Sequence, residues 1–336
     1  MKEAYLYKEL KEKKVRCDLC NHRCVIDPGN KGICGVRKNI GGILYSLVYD
    51  KVISENVDPI EKKPLFHFLP GTLSLSIATP GCNFKCFFCQ NWQISQMPCD
   101  YEIIEGREIL PENIVGDALK YGCPSISYTY TEPTIYFELA YDTSKIASAR
   151  GIKNVFVTNG FMSDECLEMI KPYLNAANID LKSFSDEFYR KKAGGRLNPV
   201  LKNIKKMFEY GIWIEVTTLL IPGENDSDSE IKSIASFLAG ISKNIPWHIS
   251  AYFPQYKSDI PSTEPESVLK AVRFGKEAGL SYVYGGNLRG SGNENTICPD
   301  CGKTAIEREG FSTRVNNIKG GKCRFCQNRI EGVFID

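Results

Sequence analysis

Residues 82–89 read Cys82-Asn-Phe-Lys-Cys86-Phe-Phe-Cys89, three cysteines at C-x3-C-x2-C spacing with an aromatic residue just before the last. An apolar, alternating run at residues 73–78 and the turn Thr79-Pro80-Gly81 come directly before it. Three thiolates hold three irons of a cubane [4Fe-4S] cluster, where four would close it. The remaining iron is then open to a small molecule, and an open coordination position marks a catalytic metal site. Zinc in the same place would need a fourth ligand, and His67 lies too far upstream to complete a compact knuckle.

Around this segment the chain alternates strand-like and helix-like stretches. Strands are expected at residues 73–78, 125–130, 153–157, 176–181, 212–221, 247–253 and 281–284, and helices at 111–121, 133–150, 199–210, 228–238 and 265–278. Ser163 caps a further helix with acids in its first turn. Val200, Ile204, Met207 and Phe208 share one helix face, and Val268, Ala271, Val272 and Gly275 another. Repeated strand–helix units predict an α/β fold with a parallel sheet covered by helices. About six such units curl into an open barrel with chemistry at the C-terminal strand ends, or lie flat as a doubly wound sheet. Periodicity does not separate the two.

The cysteine triplet, its aromatic and the preceding strand together resemble the radical S-adenosylmethionine (SAM) superfamily. The resemblance implies a partial (β/α)6 barrel, Cys82, Cys86 and Cys89 as the catalytic cluster ligands, and SAM on the open iron. It also implies that a 5′-deoxyadenosyl radical, released by one-electron cleavage of SAM, abstracts hydrogen from a substrate. Phe87 and Phe88 are expected to supply a dry shell around the cluster. The second expected strand ends in Tyr128-Thr-Tyr-Thr-Glu132-Pro133. By the resemblance Glu132 meets the SAM ammonium, with Tyr130-Thr131 standing where the superfamily usually has Gly-Gly. Read without the resemblance, Glu132 is an acid favoured by a helix N-terminus. Val157-Thr158-Asn159-Gly160-Phe161 and Asp180-Leu181-Lys182 resemble motifs of glycyl-radical-enzyme activases of the pyruvate formate-lyase type. That places Asp180 and Lys182 on SAM with Thr158 and Asn159 beside them. Val157 departs from the acid expected before Thr158, and the monovalent cation such an acid helps to bind is not expected here. His248 reads as a packed polar residue, and Tyr252 and Tyr256 as pocket or core residues alike.

Eleven of the fourteen cysteines fall in three sets at metal spacings. Cys17, Cys20, Cys24 and Cys34, with His22 between them, are expected to hold zinc or a second cluster, since thiolates suit both metals. Cys298, Cys301, Cys323 and Cys326 have zinc-ribbon spacing, and zinc there would fold a tail too short for its own core. Cys99, Cys123 and Cys166 read as buried small apolar residues. The N-terminal cysteines, the string Asp58-Pro-Ile-Glu-Lys-Lys-Pro-Leu-Phe-His67-Phe-Leu-Pro70 and Cys89-Gln-Asn-Trp-Gln-Ile-Ser-Gln96 together resemble the radical SAM member of the AmmeMemoRadiSam system. The match spans residues 15 to about 290. It implies Memo-like and AMMECR-like proteins as partners, and its kinship to activases implies a reductant such as ferredoxin or flavodoxin and a protein as substrate. RNA or a small metabolite is the alternative substrate, motivated by basic residues in the tail such as Lys303, Arg324 and Arg329.

Three domains follow: a Cys-rich N-terminal metal-binding segment at 1–65, the barrel at 66–290, and a zinc-ribbon-like tail at 291–336. The Lys/Glu-rich start, residues 1–14, reads as a solvated helix rather than a signal peptide, because it lacks an apolar core. Lys+Arg 42 against Asp+Glu 40 leaves +2, so no global field points to DNA. No apolar run reaches the ~20 residues of a membrane span. These features together lead to the expectation of a cytoplasmic enzyme; a non-catalytic metal or redox scaffold is the weaker alternative.

Overall fold

The computed structural model describes residues 1–288 and 292–335. Its centre is an eight-stranded sheet: β1 (Ser54–Pro59), β2 (Leu73–Ala78), β3 (Ser125–Tyr128), β4 (Lys153–Thr158), β5 (Ala176–Asp180), β6 (Trp213–Leu220), β7 (Trp247–Ala251) and β8 (Val283–Gly286). Each strand lies beside its sequence neighbour. Strands β2 to β8 are parallel, and β1 runs antiparallel along the outer edge of β2. The parallel strands are nearly all buried on both faces, which is why they read as apolar runs.

Six helices make the crossovers: α1 (Pro111–Lys120), α2 (Phe137–Ala149), α3 (Asp164–Ile170), α4 (Leu197–Glu209), α5 (Asp228–Ile241) and α6 (Pro265–Glu277). Pro111 occupies the first turn of α1, and the Ser163 hydroxyl accepts the Cys166 N–H at the start of α3. The buried stripe of α6 is the expected one, and Gly275 is required on it. A Cβ there would stand 3.0 Å from Val283 and 3.1 Å from Trp247. On α4 the face is rotated from the expectation. Val200, Ile204 and Met207 are buried, but Phe208 is exposed and Asn203 takes the inner position. The Asn203 amide donates to the Gly160 and Met162 carbonyls at 2.8 and 2.7 Å, so a polar residue can be buried there at little cost.

Strands β8 and β1 are the two edges of the sheet and do not pair with each other. The loops after β2, β3, β4, β5, β7 and β8 nonetheless line one cavity, so the sheet curls and stays open on one side. The open side is filled by residues 60–69 and by the C-terminal three-stranded sheet of Thr296–Ile297, Thr304–Glu309 and Ser312–Asn316. Arg308 of this sheet reaches the barrel, donating to the Phe66 carbonyl at 2.7 Å with its guanidinium 4.3 Å above the Phe66 ring. The expected boundary between 290 and 291 lies outside the described residues.

The start of the chain is not a helix. Lys2–Glu3 and Tyr7–Glu9 are short strands, the latter paired with Val15–Cys17. The Lys/Glu pattern concealed a period of two: Ala4 is buried and Leu6 packs on the core, while Glu3 and Tyr5 face out. The N-terminal segment is stitched to the barrel by a buried ion pair. Arg37 reaches Glu138 of α2 with two nitrogens, at 2.6 and 2.8 Å.

Candidate functional site

The loop after β2 begins at the turn 79–81, where Gly81 (φ +109°) packs so closely on Val36 that a Cβ would stand 2.8 Å from it. The cysteine loop is then clamped from the far side. Lys85 N–H donates to the Ala193 carbonyl and Phe87 N–H to the Lys192 carbonyl, at 2.8 and 3.2 Å. Within the loop, Phe84 N–H points at Cys82 Sγ (3.3 Å), and Ser95 Oγ lies 3.2 Å from Cys89 Sγ. Phe84 and Phe88 are buried beside the cysteines, whereas Phe87 is only partly buried under Lys192. The dry shell is therefore Phe84 and Phe88, not the expected Phe87 and Phe88.

Cys82, Cys86 and Cys89 line a cavity of about 1220 Å³ together with Glu132, Thr158, Asn159, Asp180 and Lys182. Eight residues spread over a hundred positions of sequence thus share one space. Glu132 is buried and accepts four hydrogen bonds: Thr134 N–H at 3.1 Å, Thr134 hydroxyl at 2.5 Å, Thr158 hydroxyl at 2.7 Å and Asn159 N–H at 2.8 Å. Burial raises its pKa, and these donors oppose the rise. Three of the four fall on Oε1, which leaves Oε2 with spare acceptor capacity. Lys182 Nζ lies 2.9 Å from Asp180. Burial disfavours its ammonium, but Asp180 and the Cys86 sulfur outweigh that and hold its pKa above the ordinary value. Asn225, in the loop after β6, fixes the backbone here by donating to the Lys182 carbonyl at 2.7 Å.

The donor chemistry fits a cubane. Three thiols converge on the cavity, no three metal-binding side chains there come within 4.8 Å of one another, and Cys99 is turned away, its sulfur 3.4 Å from the Ile33 carbonyl. Burial pushes the Cys82 thiol well up and Cys86 up to about 12, so thiolates form here only with a cation to neutralise them. Cys123 and Cys166 are buried in the core as expected.

Sequence reasoning missed the floor and outer wall of this cavity. Glu215 of β6 accepts from Phe66 N–H, His67 N–H, Trp213 and His248, and so anchors residues 64–67 across the barrel bottom. His248 faces the cavity but is committed to Glu215 at 2.7 Å. Tyr252 is a core residue, and Tyr256 stacks on Trp92. The wall includes Lys62 and Lys63, from the string at residues 58–70 that carried a family resemblance but no assigned role, and Arg308 and Arg314 from the tail; nothing in the sequence placed them opposite the cysteines. Tyr130, where the resemblance expected glycine, holds φ +61°, so the backbone keeps the left-handed shape that a glycine would adopt freely.

The C-terminal quartet is a separate site. All four sulfurs lie within 4.8 Å of one another, with Cys298–Cys326 at 3.6 Å and Cys301–Cys323 at 3.8 Å. That is the size of a tetrahedral zinc–thiolate centre with bonds of about 2.3 Å.

A curled parallel sheet with a cysteine loop after its first parallel strand defines a class, and comparison confirms it: residues 76–237 match the radical SAM superfamily, and the chain belongs to that superfamily. Membership implies a [4Fe-4S] cluster and SAM, for which the thiols and polar groups above are the matching donors. An uncharacterized protein of Methanocaldococcus jannaschii is 45% identical over 99% of this chain and 100% of its own length. A second protein of that organism, named provisionally as a glycyl-radical enzyme activating enzyme, is 27% identical over 62% of this chain and 78% of its own. Among solved structures, Streptococcus suis SuiB bound to its precursor peptide SuiA shares the fold, with TM-score 0.50 and 16% identity over 69% of this chain and 52% of that one. No helix among the described residues is long and apolar enough to cross a membrane.

Proposed function

We propose that this chain is a SAM-cleaving enzyme that abstracts hydrogen from a segment of another protein. The observation that carries the reading is the convergence of Cys82, Cys86, Cys89, Glu132, Thr158, Asn159, Asp180 and Lys182 on one cavity. When bound, the cluster supplies the electron that breaks SAM into methionine and a 5′-deoxyadenosyl radical. Glu132, with acceptor capacity to spare on Oε2, would hold the SAM ammonium, and the Asp180–Lys182 pair would offer a carboxylate and an ammonium to its polar groups. Thr158 and the Asn159 N–H keep Glu132 in place. Phe84 and Phe88 exclude water from the loop. Zinc in the C-terminal quartet holds the wall that Arg308 and Arg314 belong to.

A protein substrate is favoured by the character of that wall. Lys62 and Lys63 pair with Asp58, Arg308 lies 3.5 Å from Glu61, and Arg314 pairs with Glu309. A surface whose cations are already neutralised suits a mixed peptide better than a polyanion such as RNA. The activating-enzyme relative supports the same reading. So does the cavity volume, which exceeds the ~300–1,000 Å³ of an ordinary small-ligand pocket and leaves room beside SAM. Memo-like and AMMECR-like proteins are the first partners to test, and a ferredoxin or flavodoxin is the expected electron donor.

The test is anaerobic reconstitution with dithionite and SAM, followed by detection of 5′-deoxyadenosine with and without fractions of cell extract. Stimulation abolished by protease alone supports a protein substrate. Stimulation that survives protein removal, or that ribonuclease abolishes, supports the metabolite or RNA alternative. Absence of 5′-deoxyadenosine under all conditions would overturn the reading.

A further inference from the structure

The N-terminal cysteines make a third site with a different geometry. Cys17, Cys20, Cys24 and Cys34 all line one small cavity of about 20 Å³ whose remaining walls are largely apolar, Ile26 and Ile135 among them. Cys17 and Cys34 are buried. Sulfurs of one tetrahedral zinc site stand about 3.8 Å apart, with bonds of about 2.3 Å, and leave no room between them. The C-terminal quartet has that size; no three of the N-terminal cysteines come within 4.8 Å of one another. In a cubane each cysteine binds a different iron, so its sulfurs stand further apart than around a single ion. The three central cysteines likewise do not all come within 4.8 Å of one another.

Arg37 and Asn83 also line this site. Arg37 is 1% exposed and lines the cavity. Two of its nitrogens serve Glu138 and the Ile135 carbonyl, while its buried Nε has no partner. A guanidinium with a spare N–H suits an anionic assembly of thiolates and sulfides. His22 also lines the cavity and is tied to the loop beside Cys82, its Nε2 2.8 Å from the Asn83 carbonyl. Asn83 also lines the N-terminal cavity, and its buried Nδ2 is without a partner.

From this geometry we propose that Cys17, Cys20, Cys24 and Cys34 hold an iron–sulfur cluster rather than zinc. Asn83, adjacent in sequence to Cys82, is then the wall between this cluster and the central cysteines. The assignment of the metal stands independently of what the central site does.

The experiment is a count of iron, acid-labile sulfide and zinc in the full chain after anaerobic reconstitution, with electron paramagnetic resonance of the reduced protein. In the triple variant Cys82→Ala, Cys86→Ala, Cys89→Ala, about four irons and four sulfides should remain, with about one zinc and a reducible cluster signal. Should that variant fail to fold, Cys17→Ser with Cys20→Ser in the otherwise unchanged chain should lower iron from about eight to about four and leave zinc at about one. Two zincs and no iron in the triple variant would overturn the proposal. So would iron without stoichiometric sulfide, or loss of zinc instead of iron in the double variant. A wild-type chain with about four irons, all surviving in the triple variant, would support this site and count against the central one.

Discussion

Tyr130 donates its phenolic hydroxyl to the Asp58 carboxylate while its own backbone sits at φ +61°. The bond joins the loop after β3 to the end of the antiparallel edge strand β1, across the rim of the cavity. Lys63 Nζ, 4.5 Å from the Tyr130 ring centroid, shares the same carboxylate at 2.6 Å. Asn91, just past the cysteine loop, donates to the Tyr130 carbonyl at 2.8 Å. These contacts offset the strain of a non-glycine residue in the left-handed region, which costs about 1–2 kcal/mol.

Tyr130→Phe should therefore cost about 1.5–3 kcal/mol of stability, the net worth of one hydrogen bond to a charged group. Tyr130→Val should cost about 1–2 kcal/mol more, because a branched Cβ resists positive φ. Denaturant midpoints of the two variants provide the check. A Val variant as stable as the Phe variant would show that the left-handed backbone is not required.

Glu132→Gln and Glu132→Ala should separate binding from architecture. The amide keeps an oxygen for the Thr158 and Thr134 donors but removes the charge and sets its NH2 against the Asn159 N–H, so SAM affinity measured by anaerobic equilibrium dialysis should fall about tenfold or more, with about 1–3 kcal/mol of stability lost for that one orphaned donor. Alanine leaves the buried Thr134 and Asn159 N–H groups without partners, which costs about 1–3 kcal/mol for each orphaned group. Unchanged SAM affinity in the Gln variant would confine Glu132 to a structural part.

His67 gives the protein an acid-sensitive joint. It is buried, its Nδ1 faces the Glu331 carbonyl at 2.7 Å and its Nε2 the Tyr284 hydroxyl at 2.6 Å. Burial lowers its pKa to about 4, below the ordinary 6.5. The unfolded chain then binds a proton that the folded chain refuses between those values, so stability falls as pH drops from about 6.5 towards 4. The full gap corresponds to roughly 3 kcal/mol. Chemical denaturation across this range should show a steeper acid loss in wild type than in His67→Gln. Parallel slopes would assign the acid sensitivity to other groups.

Removing zinc from the C-terminal quartet should loosen the tail and leave the barrel folded. The tail shares a small core with the barrel, Ala305 and Ile330 clustering with Phe66, Tyr282 and Tyr284. Cys301→Ser should lower zinc by about one ion per chain and open Lys303 and Arg324 to trypsin, while the barrel resists cleavage. Trypsin fragments that match wild type after zinc loss would show that packing alone holds the tail.

Most of the barrel was legible because its signals are local. Apolar strand runs, the Ser163 cap, Pro111 and the Gly275 stripe depend on residues a few positions apart, and the cysteine spacing is itself a local geometry. The start of the chain misled because its Lys and Glu residues imitate a solvated helix. Ala4 and Leu6, the inward residues between its two short strands, gain their partners from distant segments. Phe208 misled because four apolar residues fit one helical face on paper, whereas Asn203 found two carbonyls of the loop after β4.

By itself the sequence determined the alternation of strands and helices, the three cysteine sets and the residue types that end each strand, all set by backbone preference and ligand spacing. Only the tertiary structure decided that the strand ends share one cavity, that Arg308 and residues 60–69 close its open side, and that Arg37, with an unpartnered buried nitrogen, lines the N-terminal cysteine cavity. It also decided which sulfurs stand at zinc distance and which stand apart. Those relations join positions up to some 240 residues distant, such as Phe66 and Arg308. They arise from burial and hydrogen-bond satisfaction across the whole chain, which no local pattern records.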